Sequence, residues 1–438
     1  MRKTLSRSRL NKTYLARRYL ARSSVDAAVG LISEGRREFQ RRNSRAGRRR
    51  ILAGMRCLER GETGLLGRFT QQLLSKRIDS PDKVRRSFDE LLSEIGVMMI
   101  NPRDSERLKG LVSALQVLGA YRAAESLRTR LKIELHNLSE SAGRRQQVEV
   151  DTGEIALSLL DDGDVDNARQ VLDHQSEIVS KARHRAHRFF AMRYGDLGDD
   201  ISRMFLSRLE FHRDLIGSRD VRICGPLTSP VERQEGLGEN VLDVWMKFLG
   251  QNMDDSERGA KSPHISYVNS LALGELVRRF GSEAKLQSYK WGRCQLLAVK
   301  GKQAKKVQIS GIKIHKVSST GVTWFPIRLL GMAALVECVA AGAKTLHLTG
   351  FNLHAGRMTH LPSYPLFAVA RSASGGLGHL EVCLTHGTSD VFSQHALIRS
   401  LMGSNRVTVD SDLDNLIQGG SAALGARLER LHGVPSWL

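Results

Sequence analysis

The chain has 438 residues, enough for two or three domains with substantial cores, and is 41% hydrophobic but only 5% aromatic. Arg328, Glu337 and Lys344 interrupt its most hydrophobic region, so no uncharged run is long enough to cross a bilayer, and no apolar stretch follows the basic N-terminus as a secretory signal requires. The five cysteines, Cys57, Cys224, Cys294, Cys338 and Cys383, are far apart and lack CxxC or zinc-ligand spacing, which points to reduced, mostly buried thiols in a cytoplasmic protein.

The net charge of +21 is unevenly spread: residues 1–60 hold 18 Lys or Arg against 4 Asp or Glu. Residues 1–50 read as a flexible basic arm. Leu10, Tyr14, Leu15, Tyr19 and Leu20 form a narrow apolar stripe with Arg-rich flanks, suited to an anionic membrane surface or to nucleic acid. An organellar transit peptide and a plain solvated arm are the other readings.

Residues 51–215 are rich in Leu, Ala, Arg and Glu and read as an all-α accessory domain, with Gly119 and Gly163 at turns and Ala123 and Ala168 at helix contacts. Its helix pairs are too irregularly spaced for a repeat array. Of its five histidines, His136, His174, His184 and His187 show no ligand pattern, because the spacing of three between His184 and His187 has no third partner nearby.

From 216 to 438 the pattern becomes α/β, with a Rossmann-like, mostly parallel sheet. Val221–Cys224 reads as a first strand closing in Gly225 and Pro226; 242–249, 295–301 and 306–315 read as further strands. Thr320 and Gly321 then open an apolar helix running from Trp324 to Ala340, with Pro326 in its first turn, Gly342 as its C-cap and a strand at 345–349. In a parallel sheet the start of such a helix and the end of the next strand share one edge. Gly321, Gly350, Phe351, Asn352 and His354 are therefore expected around one crevice, where helix N–H groups suit a phosphate.

A glycine-rich passage with His360 and Tyr364 follows, then a strand at 380–384 that delivers His386 to the same edge. Ser389 and Asp390 are expected to cap the next helix, which reads as amphipathic with Phe392, Ala396, Leu397 and Leu401 on one side. His395 within it is expected at the surface or in packing, and NRVTVD returns as a strand. There is no GxxxxGK[ST] loop, no GxGxxG and no GxSxG, and Asp410-Ser-Asp412 follows the last strand, so P-loop, dinucleotide and α/β-hydrolase chemistry are disfavoured.

The ordered combination of DVRICGPL, SSTGV before an apolar helix, AGAKTLHLTGFNLH, and HGTSD before a helix and VTVD resembles bacterial sialyltransferase-like glycosyltransferases, over about residues 219–413. The resemblance implies a GT-A-type Rossmann-like domain that needs no metal or other cofactor. It implies transfer of an acidic sugar, with inversion, from a CMP-linked nucleotide-sugar donor to a glycan acceptor. By the same resemblance Gly225, Pro226, Ser319, Thr320, Gly321, Gly350, Phe351 and Asn352 contact the donor. His386 is the catalytic base, and His354, His360 and Tyr364 are candidates to stabilise the leaving phosphate. The sequence departs from the family's pattern at Asn352 and His354, where an Asp and a Tyr are usual, and in its first loop, GPLTSP. The alternative reading is a nucleic-acid- or membrane-associated scaffold that uses the Arg-rich arm and carries a degenerate transferase-like domain.

Overall fold

The computed structural model describes residues 88–95, 108–113, 120–142, 151–173, 180–225, 240–246, 262–269, 291–300, 311–317, 321–325, 329–355, 390–404 and 406–432, with scattered positions elsewhere. The stripe at Leu10 to Leu20 and the strand expected at 380–384 lie outside these residues, as do Gly119 and Pro326. The chain divides into two compact units, one of residues 1–150, 369–390 and 421–438, the other of 151–368 and 391–420.

In the first unit, helix α1 (Tyr121–Ala142) buries Tyr121, Ala124, Leu127, Leu131 and Leu135 at helical spacing. Its Arg128 guanidinium and the Gln116 amide both donate to the Asp390 carboxylate, at 2.8 and 3.1 Å. Asp390 is thus committed to a buried ion pair with Arg128.

The second unit starts with five helices: α2 (Thr152–Asp162), α3 (Val165–Asp173), α4 (Lys181–Tyr194), α5 (Asp200–Ser207) and α6 (Glu210–Ile216). Gly163 ends α2 in the left-handed conformation with φ 85°, as its place in the sequence predicts. Ala168 is fully buried.

Seven strands follow in one wholly parallel sheet: β1 (Val221–Cys224), β2 (Leu242–Met246), β3 (Ile265–Asn269), β4 (Leu296–Lys300), β5 (Lys313–Lys316), β6 (Leu346–Thr349) and β7 (Val407–Val409). Their spatial order is β5-β4-β3-β2-β1-β6-β7. The central strands β1 and β2 are buried along their whole length because both faces are covered, and the one charge in each, Arg222 and Asp243, pairs with the other at 2.8 Å; the edge strands β5 and β7 are partly exposed. Helices α7 (Leu330–Ala340), α8 (Val391–Met402) and α9 (Ser411–Gln418) complete the order of this second unit, and α10 (Gly420–His432) belongs from Ser421 onward to the first unit. The Rossmann-like parallel α/β character expected from the sequence is therefore present. Cys224, Cys294 and Cys338 are buried. Among the described residues no helix is long and apolar enough to cross a membrane.

Three local expectations are corrected. Helix α7 begins at Leu330, not near Gly321. The residues before it are tied down instead: Arg185 donates to the carbonyls of Thr323 and Trp324, Trp324 Nε1 donates to Glu154 at 2.8 Å, and Thr323 Oγ1 donates to the Phe325 carbonyl. Phe325 also precedes a proline, which disfavours helical backbone. Helix α8 is buried on nearly every side, from Val391 to Leu401, and is not amphipathic. The strand expected at 306–315 is short and late, Lys313–Lys316, preceded by a single bridge between Ile309 and Ile312.

Candidate functional site

The strand order reverses between β1 and β6, the point at which open parallel sheets leave a crevice beyond the strand ends. β1 delivers Gly225 there and β6 delivers Gly350, paired through Cys224 and Thr349. Gly225 N–H donates to the Thr349 carbonyl at 2.7 Å. The two glycines lie so close that a Cβ on Gly225 would be 2.8 Å from the Gly350 carbonyl carbon and 3.0 Å from Phe351 Cδ2. The Phe351 ring lies against Gly331, in the first turn of α7, with its Cζ 3.0 Å from where a Cβ there would be. Bare backbone, one aromatic ring and a helix start therefore share this end of the sheet.

Beyond Gly350 the chain makes a constrained turn. Gly350 has φ 71°, and Leu353 and His354 follow at φ 48° and 64°, an uncommon conformation for side-chain-bearing residues. Asp410 holds the entry by accepting from Gly350 N–H at 2.8 Å while it also caps α9 by accepting from Leu413 N–H at 2.9 Å. Asn352 holds the exit: its side-chain oxygen accepts from His354 N–H at 3.0 Å and its carbonyl accepts from Ala355 N–H at 2.7 Å. His354 is buried. Strain of this kind is costly and tends to persist where a site needs it.

Gly321 sits on the connection from β5 to α7, beside α4. A Cβ there would lie 3.1 Å from Arg185 Cγ and 3.8 Å from a terminal nitrogen of Arg188. Arg185 is engaged by Glu154 and the two loop carbonyls. Arg188 is half-buried, and burial, with Arg208 and Arg185 as neighbours, lowers its pKa. The histidines of α4 play no such part; His187 faces Asp199 at 3.5 Å.

Of the residues expected around the donor, Gly225, Gly350, Phe351, Asn352 and His354 come together at the switch point, and Gly321 lies on the connection leading to α7. Pro226, Ser319, Thr320, His360, Tyr364 and His386 lie outside the described residues. His395, expected at the surface or in packing, is packed: it is buried and contacts the Ile417 carbonyl at 3.2 Å. Comparison of the chain with family models, with curated proteins and with solved structures finds no match.

A second cluster escaped the sequence reading. His212 of α6, Tyr267 of β3, His315 of β5 and Glu337 of α7 meet beneath α7. Tyr267 Oη donates to Glu337 Oε2 at 2.7 Å, His212 Nε2 lies 3.0 Å from Tyr267 Oη and 3.7 Å from Oε2, and His315 Nε2 lies 3.4 Å from Oε1. The His212 and His315 rings meet edge to face at 4.6 Å between centroids. Burial, with His315 beside it, pushes His212 down to about 3; burial and the Glu337 carboxylate push the Tyr267 phenol well up. One signal was visible in advance, a glutamate in the middle of the apolar stretch LGMAALVECVA, but its partners come from three distant segments.

Proposed function

We propose that the chain is a glycosyltransferase of the sialyltransferase-like kind, moving an acidic sugar from a CMP-activated donor to a glycan hydroxyl without a catalytic metal. The observation that carries the reading is the close glycine pair Gly225–Gly350 at the switch point, beside the start of α7, the edge at which open parallel sheets bind their ligands. Arg185 and Arg188 beside Gly321 add positive charge on the connection that enters α7.

In the reaction the acceptor oxygen forms a bond to the anomeric carbon from the face opposite CMP. The carbon–oxygen bond to the phosphate breaks with its electrons leaving on CMP, and the His386 imidazole takes the hydroxyl proton. Ser319, Thr320, Pro226 and Asn352 would hold the donor, and His354 or Tyr364 would stabilise the departing phosphate. Residues 51–215 supply a helical accessory framework, and the Arg-rich arm of 1–50 holds the cytoplasmic enzyme against an anionic membrane face.

Titration of the full chain with CMP, CDP and UDP sugars tests this reading. Saturable binding confined to CMP compounds, with CMP release lost but binding kept in His386→Ala, is expected. Equal indifference to all three donor classes would favour the scaffold alternative, in which the arm binds nucleic acid or membrane and the sheet is inert.

A further inference from the structure

We propose that His212, His315 and Glu337 form a buried site for one divalent transition-metal ion, zinc fitting best. Their ligand atoms all lie within 4.8 Å of one another. His315 Nε2 lies 3.4 Å from Glu337 Oε1 and His212 Nε2 3.7 Å from Oε2, so an ion held by both carboxylate oxygens would find each separation near the edge of about 3.3 Å that a tetrahedron with bonds near 2.05 Å requires. Two imidazoles and a carboxylate are a donor set suited to zinc and its neighbours.

Charge points the same way. Glu337 is 1% exposed, and among the described residues no lysine or arginine pairs with it; its partners there are a tyrosine hydroxyl and the two imidazoles. A buried carboxylate with only dipoles around it is costly, and a dication would balance it. Tyr267 donates to Oε2 and so orients the carboxylate, the role of an outer partner in metal sites. His212 Nδ1 is buried without a hydrogen-bond partner, so no acceptor holds that ring and His212 is the weakest of the three ligands. The ligands come from α6, β5 and α7, so the ion would clamp an edge strand and a preceding helix to the helix whose start faces the crevice. The inference is independent of the donor reading.

The test uses the untagged full chain. One zinc per chain by elemental analysis, and visible absorption of four-coordinate cobalt after Co²⁺ exchange, are expected. Glu337→Gln and His315→Asn should weaken zinc binding by roughly 100-fold or more, and Tyr267→Phe by about 10-fold. Should those variants fail to fold, the wild-type chain decides alone: chelation should lower its thermal midpoint and zinc should restore it. A wild-type chain with neither zinc nor cobalt absorption, or zinc retained unchanged in folded Glu337→Gln and His315→Asn, would overturn the proposal.

Discussion

Gly225 and Gly350 stand backbone to backbone at the reversal of strand order, with no room between them for a methyl group. Because the obstruction is backbone, no side-chain rotation relieves it. Gly225→Ala should therefore push the ends of β1 and β6 apart, lowering stability by about 1 to 3 kcal/mol and weakening any ligand held there. Gly403→Ala is the control: its new Cβ would meet Ser400 O at an ordinary 3.6 Å. Urea denaturation of both variants checks this; equal midpoints would mean the glycine contact is not confining.

Asp410 serves two elements with one carboxylate, capping α9 and holding Gly350. Asp410→Ala should cost about 1 to 2 kcal/mol and let the 350–355 turn relax, whereas Asp410→Asn, which keeps an acceptor oxygen, should lose much less. Hydrogen exchange at the Gly350 amide separates the two roles. Protection unchanged in Asp410→Ala would show that β6 holds Gly350 without help.

The sheet was legible where short segments lie between turn signals. LLAV is an apolar run, VRIC carries one charge among apolar residues, LHLT is apolar at alternate positions, and each became a strand. ISYVN was missed because Ser266, Tyr267 and Asn269 read as polar, yet Ser266 and Tyr267 are fully buried. The start of α7 was misplaced for a related reason. Trp324 and Phe325 fit a helix pattern, but Glu154 and Arg185, some 140 to 170 residues earlier, hold them in a bend. Glycines at strand ends announced the crevice, since close backbone approach has a residue-type signature. Arg188 has none, and the His212–Glu337 cluster shows only the glutamate within an apolar helix, because their partners are assembled by topology.

Arg188 offers a direct test of anion binding near Gly321. A half-buried guanidinium whose pKa is lowered by burial and by two neighbouring arginines gains when an anion arrives. Arg188→Met should weaken CMP binding roughly 10-fold, and the loss should shrink as salt is raised. Arg188→Lys keeps the charge but not the planar fork, so partial recovery is expected. Arg203→Met, on the exposed face of α5 and paired with Asp200 at 3.0 Å, serves as the control. Calorimetric titrations giving one affinity for all four proteins would remove Arg188 from the site.

The pH dependence of stability should carry a contribution from His264. Its Nδ1 accepts from Asp243 N–H at 3.0 Å, which requires that nitrogen to be unprotonated. Burial first, then Arg293 and Arg219, lower its pKa from 6.5 to about 4, with the Asp243 carboxylate opposing. Between those values the unfolded chain binds the extra proton and the folded chain does not, so stability rises with pH across this window. The contribution is complete above 6.5, declines as pH falls, and is gone below about 4. His264→Asn can place an amide oxygen near the same N–H but cannot titrate. Denaturation midpoints at pH 7.5, 6 and 5 should therefore fall less steeply for the variant than for the native chain. Parallel profiles would mean that His264 is protonated equally in both states, leaving acid destabilisation to the carboxylates and to other buried histidines such as His212.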